Sequence, residues 1–399
     1  MGNYNGKTLM VVGAGFGQLP AILTAKKMGL KVIAIDRNSD ALGMKYADTA
    51  LPVDVVDIDG AIEAARKYKI DGIMTMQTEL PVPTIGAVVD ELGLNGVRFD
   101  IAKTCTDKIE TRRRFAERNI PQPDFRVIST YQEAVDAAKE IKFPCVTKPA
   151  DNSGSRGITK VTNMNGMESA FMEAVKYSRK GKVLVEEFVE GIEAGAQCFS
   201  INGHCERVLV HNDTMSRPAC MIPTGHSFPS MLDDKILGEI EEAIAATVEA
   251  LGIEVGPSNV DFILDKNFRP TIIEVGARIG ATCLPELVYY YTGIDWVKAA
   301  ILASLGETPD LTAAQSTPCA ALILEAPENG ELAGYNIPDE VKKTDGLLEI
   351  EVTAKIGEVV NKLTKGTDRI GKIMVTDKTA EAAERKAERI KSQVTFDIR

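Results

Sequence analysis

Short apolar runs and amphipathic stretches alternate along the first third of the chain. Residues 8–12 (TLMVV) and 31–35 (KVIAI) are mostly β-branched and apolar, the pattern of parallel strands buried on both faces. Between them residues 18–28 have helical spacing, and Gly29 closes the helix. The alternation continues with a helix at 57–68, a strand at 72–76 and a helix at 82–92, ending near Ile101. This order predicts a small doubly wound α/β layer. Beyond it the pattern predicts a basic helix at 106–118, a strand at 125–128, a helix at 131–140 and a strand at 143–147. A strand at 158–161, a helix at 167–177, a strand at 183–185 and another through Ser200 follow. Residues 211–230 are polar and rich in turn formers, which predicts a long loop. An amphipathic helix at 233–251, capped by Gly252, leads to strands at 259–264 and 271–275 joined by a tight turn at 265–269. A strand at 319–325 opens a last region of mixed strand and loop, and a charged helix at 380–391 comes near its end.

Composition narrows the class. The 399 residues suffice for two or three domains with cores of their own. A net charge of −11 argues against a nucleic-acid surface. Residues 1–7 are polar and carry no signal-peptide pattern, and no apolar run reaches the ~20 residues of a membrane span. Seven scattered cysteines and three histidines fit reduced, cytoplasmic thiols and argue against a zinc site.

The chemistry starts at residues 143–157. An apolar strand is closed by Lys148 and Pro149, and a loop of small polar residues follows, from Asp151 through Ser153, Gly154, Ser155 and Arg156 to Gly157. Such a loop leaves consecutive N–H groups bare and forms an anion-binding nest. No Gly-Lys-Ser/Thr follows, so it is not a Walker loop. It reads either as a flap closing over a nucleotide or as an ordinary surface hairpin. Two acids, Asp261 and Glu274, fall on the adjacent strands 259–264 and 271–275. Side by side they repel unless a cation lies between them, and oxygen ligands of this kind suit Mg2+; the other reading is a solvated sheet face. The turn at Gly13, Gly15 and Gly17, with Asp36 after the second strand, is similar to a dinucleotide fingerprint, but Gln18 holds the place of the third glycine. Ligands of such sheets bind outside the strand C-termini, which makes Glu79 a candidate substrate contact. Its alternative role is a helix-start acid. Arg217 can pair with a substrate carboxylate and His226 can move a proton or bind phosphate, unless both are ordinary loop residues.

In order, these pieces resemble the ATP-grasp family: Lys108 at a helix start, Lys148 before the Gly/Ser loop, Glu186-Glu187-Phe188-Val189 with Glu193, then Asp261, Glu274 and Arg278. The resemblance covers roughly residues 1–310 and is strongest to carboxylate–amine ligases similar to biotin carboxylase and carbamoyl-phosphate synthetase. It implies an α/β domain at 1–104 and an ATP-grasp domain at 105–310 with a mobile lid at about 123–190. A small β-rich C-terminal lobe would occupy 311–399, where Asp368-Arg369-Ile370-Gly371 is similar to the family's lobe. It further implies that Lys108 and Lys148 bind the ATP phosphates and that the 153–157 loop covers the γ-phosphate. Glu186 and Val189 would line the adenine hinge mostly through backbone groups, within the 186–189 segment, and Glu193 would hold the ribose. Asp261 and Glu274 would bind Mg2+, or Mn2+ in its place. Arg278 would stabilise the transferred phosphoryl group. The family usually carries Asn two residues after the second acid, as a further metal ligand; this chain has Gly276.

The implied reaction activates a carboxylate as an acyl phosphate and joins it to an amine, releasing ADP and phosphate. The partners are therefore small molecules, and a homodimer follows from the family habit. A bicarbonate- or formate-activating enzyme of nucleotide or cofactor synthesis stays open, as does a nicotinamide-dinucleotide protein built on the first domain.

Overall fold

The computed structural model describes residues 4–152, 156–217 and 220–399, and only the backbone at 215–217 and 220–222. The first sheet is parallel and holds β1 (Thr8–Val12), β2 (Lys31–Ile35), β3 (Thr49–Leu51) and β4 (Gly72–Met74) in the order β3-β2-β1-β4. Helices α1 (Leu19–Lys27), α2 (Ile58–Tyr68) and α3 (Val82–Leu92) cover it. Asp57 caps α2 by accepting from the Gly60 N–H, which ends the preceding loop where the apolar spacing begins. Helix α4 (Phe99–Thr106), not expected, precedes helix α5 (Lys108–Glu117), which is the basic helix expected at 106–118. Asp107 separates them, accepting from the Ile109 N–H and starting α5 at Lys108.

A second, antiparallel sheet holds β5 (Phe125–Ile128), β6 (Cys145–Pro149), β7 (Thr159–Val161) and β8 (Val183–Glu187) in the order β5-β8-β6-β7. Helices α6 (Tyr131–Ile141) and α7 (Met167–Tyr177) pack on one face, with Ala134, Ala138, Ala170 and Phe171 in the shared core.

The third sheet is the largest. Strands β9 (Ile192–Ile201), β10 (His204–Arg217), β11 (Cys220–Phe228), β12 (Gly256–Leu264), β13 (Pro270–Gly276) and β14 (Cys319–Glu325) enter it in turn. They are followed by β15 (Gly330–Asn336), β16 (Leu347–Val352), β17 (Val359–Val360), β18 (Arg369–Thr376) and β19 (Thr395–Ile398). Its order is β13-β12-β9-β10-β11-β14-β18-β16, while β17-β15-β19 form a small sheet beside it. The boundary at residue 310 expected from the sequence therefore does not break the sheet: β14 pairs with β11, and β18 and β16 extend it.

One expectation is corrected outright. Residues 211–230 are not a loop but mainly the hairpin of β10 and β11, in register from Asn212↔Ser227 to Asp213↔His226. The residues are polar because Thr224, His226 and Ser227 are buried against other polar groups rather than exposed.

Helix α8 (Asp234–Leu251) covers one face of this sheet; helices α9 (Leu284–Thr292) and α10 (Trp296–Ser304) join it to the first sheet. Their core is continuous with that of the N-terminal sheet, running from Leu9 and Val11 through Ile301 to Trp296. Trp296 meets Phe199 of β9 edge-on, with ring centroids 5.2 Å apart. The N-terminal layer is thus packed firmly on the sheet that carries the acids. Among the described residues no helix is long and apolar enough to cross a membrane.

Candidate active site

Strands β12 and β13 pair with Asp261 directly opposite Glu274. Cross-strand partners point to the same face and stand close. Burial, with Asp213 and Glu274 nearby, pushes Asp261 up to about 7. Glu274 is half-buried, and Lys108 and Lys148 hold it below the ordinary glutamate range against the effect of burial. Two carboxylates sharing a site divide in this way, one easily protonated and one kept charged. Asn259, two residues before Asp261 on the same face, donates from Nδ2 to Asp261 Oδ1 at 2.9 Å.

Positive groups arrive from three other elements. Lys108, the first residue of α5, donates to Glu274 Oε1 at 3.0 Å and to the Asn152 carbonyl at 2.8 Å. Its own N–H bonds the Ala150 carbonyl at 3.0 Å, so the helix start is tied to the end of β6. Lys148 is 4% exposed and lies 2.6 Å from Glu186 Oε2. Burial lowers it to about 8, even though Glu186 stands beside it. Arg112 of α5, also buried, takes the other side of Glu186, at 2.8 Å through Nε and 3.2 Å through Nη2. Burial alone would raise Glu186; Lys148 and Arg112 together hold it at about 2. Arg278 pairs with Glu79, which comes from the segment after β4.

That segment is fixed by sequence-distant backbone contacts. Met76 bridges Ile279, and the Gln77 N–H donates to the Ile279 carbonyl at 3.1 Å. Glu79 is buried, which pushes its carboxyl up although Arg278 opposes the shift. Glu79 Oε2 and Arg278 Nε have no hydrogen-bond partner among the described residues.

These side chains surround one cavity of about 190 Å3, lined by Glu79, Lys108, Lys148, Arg156, His226, Asp261, Glu274 and Arg278 among others. Eight of the expected site residues therefore converge. Gly157 has φ +75°, and a Cβ there would stand 3.0 Å from the Tyr177 ring, so the turn after Arg156 requires glycine. Arg156 reaches back to Asn152 Oδ1 at 2.7 Å. Gly157, Glu187, Phe188, Val189 and Glu193 are not in the cavity lining. Glu193 begins β9 opposite Ile263, and burial raises it, helped by Asp213. Phe188 carries the Lys160 ammonium 3.4 Å above its ring. Glu186 is likewise outside the lining; it lies in a strand paired on both sides, and its carboxylate is held by Lys148 and Arg112. Ser153, Gly154, Ser155 and the Arg217 side chain lie outside the described residues.

The sequence reading missed four contributors. Arg112 sits in the run Arg112-Arg113-Arg114, which looks like a solvated face. Asp213 accepts from His226 Nδ1 at 2.6 Å and from His211 Nδ1 at 2.9 Å, and despite burial these two rings hold it well below the carboxylate range. The order of residues gave no signal for that cluster. Arg369 lines the cavity, is lowered by burial, and donates to Thr282 Oγ1 at 2.5 Å and the Pro223 carbonyl at 3.2 Å. Asn259 could have been found from its i, i+2 spacing to Asp261.

The dinucleotide turn is closed by Gln18. Its Oε1 accepts from the Gly15 N–H at 3.2 Å, and its Nε2 donates to the Met76 carbonyl at 2.7 Å. The side chain thus lies over the glycine turn that a pyrophosphate would need.

Two family models match the sequence. Residues 107–312, more than half of the chain, match the carbamoyl-phosphate synthase L chain ATP-binding domain. Residues 322–399 match the L-amino acid ligase C-terminal domain 2. The carbamoyl phosphate synthase large chain of Clostridium acetobutylicum is 26% identical over 323 residues, covering 74% of this chain and 29% of that protein. A solved phosphoribosylglycinamide synthetase from Anaerococcus prevotii superimposes with TM-score 0.79 at 26% identity, covering 98% of this chain and all of that one. An L-amino acid ligase from Bacillus licheniformis shares the fold at TM-score 0.85 and 20% identity, with 99% of both chains covered. With the nucleotide-domain model spanning the segment that carries both acids and both lysines, the chain belongs to the ATP-grasp family of ATP-dependent ligases.

Proposed function

We propose that the protein joins a small carboxylate to a small amine, with conversion of ATP to ADP and phosphate. The carboxylate oxygen attacks the γ-phosphorus and ADP leaves. The amine then attacks the acyl carbon, the acyl–oxygen bond breaks, and phosphate leaves with that oxygen. The observation that carries this reading is the meeting of Asp261 and Glu274 across two strands with Lys108, Lys148 and Arg278 around one cavity.

Paired, half-buried oxygen donors fit a hard divalent ion, and Asp261 and Glu274 would hold Mg2+. When bound, such an ion neutralises charge on the phosphates. The chain's own part is positioning. Lys148 is aimed by its bond to Glu186, and Arg112 keeps that acid charged so that the lysine stays fixed. Lys108 is aimed by its helix start. Arg278 offers a guanidinium where negative charge would accumulate on the transferred group. The walls of the cavity keep water from the acyl phosphate.

The match of residues 322–399 to an L-amino acid ligase domain supports amino acids among the substrates, ahead of bicarbonate or formate. Gln18 lying over the glycine turn supports an acceptor-facing first domain rather than a nicotinamide site. The test is ADP release across a panel of amino acids and small carboxylates, offered alone and in pairs. ADP release that requires an acid and an amine together, with an amide product by mass spectrometry, is expected. ADP release with bicarbonate or formate alone, and none with any amino acid, would overturn the choice of substrate class.

A further inference from the structure

Gly276 follows Glu274 by two residues on β13, so both project from the same face of the strand. A side chain at 276 would lean into the space beside the Glu274 carboxylate. That space is filled. A Cβ built on Gly276 would stand 2.6 Å from Glu79 Oε1 and 3.2 Å from the Arg278 guanidinium carbon. The acid that occupies it comes from another sheet, 195 positions earlier than Glu274, and is carried there by the Met76–Ile279 bridge. Glu79 is 9% exposed, lines the same cavity as Asp261 and Glu274, and has one buried oxygen, Oε2, with no partner among the described residues. Arg278 pairs with the other oxygen, Oε1, and a buried carboxylate oxygen left without a partner costs free energy unless a donor or cation comes to it.

We infer that Glu79 and Gly276 are a matched pair, in which the Glu79 carboxylate serves the divalent-cation site in place of a side chain at position 276. This rests on the reading of Asp261 and Glu274 as cation ligands. It makes the N-terminal layer part of the cation site rather than only a substrate platform, and it makes glycine at 276 a requirement of Glu79.

The test is Mn2+ affinity in the presence of a non-hydrolysable ATP analogue, followed by the electron paramagnetic resonance signal of free Mn2+. Thermal unfolding checks each variant. Glu274→Gln tests the underlying reading and must weaken Mn2+ binding; if it binds as wild type does, that reading fails and this inference with it. Glu79→Gln is expected to weaken binding roughly tenfold or more, the scale of losing a group that supports a metal. Gly276→Asn alone is expected to weaken it too, because the new side chain meets Glu79. The swap Glu79→Ser with Gly276→Asn is expected to recover affinity over either single change, and it does not depend on how Glu79→Gln folds. Loss in Glu274→Gln with wild-type affinity in Glu79→Gln would overturn the role of Glu79 while leaving the Asp261–Glu274 site intact. A swap no better than Gly276→Asn would overturn the pairing.

Discussion

Lys148 is a lysine whose surroundings leave it little choice of role. It is buried and bound to Glu186, so a solvated surface charge is excluded. Lys148→Met keeps the apolar stem and leaves Glu186 paired with Arg112. The expected stability cost is about 1–3 kcal/mol, the cost of one charge-assisted bond. The same loss on the nucleotide side corresponds to roughly tenfold or more in affinity. Nucleotide titration of a folded Lys148→Met protein with wild-type affinity would contradict a phosphate role. The lysine also makes a prediction about protons. Its value is depressed from 10.5 to about 8, so near pH 8 a sizeable share of the folded protein has lost this proton while the unfolded chain keeps it. Charge on Lys148 therefore costs stability below about pH 8, and that cost falls as pH rises from about 8 toward 10.5. Phosphate oxygens favour the ammonium and raise the value. ATP binding near pH 8 should take up protons, seen by calorimetry in buffers of different ionisation enthalpy. No uptake in the wild type, or equal uptake in Lys148→Met, would contradict this. Of the residues that meet in the cavity, those with an ordered motif around them were legible in the sequence: Lys108, Lys148, Asp261, Glu274 and Arg278. Arg369 was not, nor was Asp213 bonded to the cavity-lining His226, because strand pairing brings them in and no local spacing records that.

At the scale of elements, α5 is the part that ties the second sheet to the acid-bearing sheet. Arg112 donates to Glu186 of β8 and to the carbonyls of Ile272 and Ile273 on β13, at 3.3 and 3.0 Å. Removing Arg112 breaks a buried ion pair, leaves Glu186 with Lys148 alone and takes the donor from two β13 carbonyls, a loss of about 3–5 kcal/mol. Arg112→Met should therefore lower the unfolding midpoint strongly, and by more than Lys148→Met. Equal midpoints for Arg112→Met and the wild type would show that the triad does not join the sheets. Elements with regular periodicity were readable from the chain: α3, β14 and the helix Ala380–Lys391 have the bounds expected for them. The β10–β11 hairpin was not, since its inward positions are filled by histidine, threonine and serine. A period-two pattern of polar groups reads as a loop unless the buried partners are known. The basic helix expected at 106–118 is α5, whereas α4 just before it was missed, with only Asp107 between the two helices.

At the scale of the molecule, the first, second and long sheets come together at one cavity, and the acids, lysines and arginines come from separate stretches of chain. The β-rich C-terminal lobe expected at 311–399 is present, and its strands β14, β18 and β16 continue the long sheet, which places Arg369 on the cavity wall. Sequence pattern gives strands but not their neighbours, so this continuity could not be read ahead of the structure. The central claim is that a substrate carboxylate is phosphorylated before the amine attacks. Supplying the acid with both carboxylate oxygens as oxygen-18, and weighing the released phosphate, tests it most directly. The account predicts one labelled oxygen in each phosphate, formed in step with ADP and amide. Amide and ADP formed with unlabelled phosphate would contradict it.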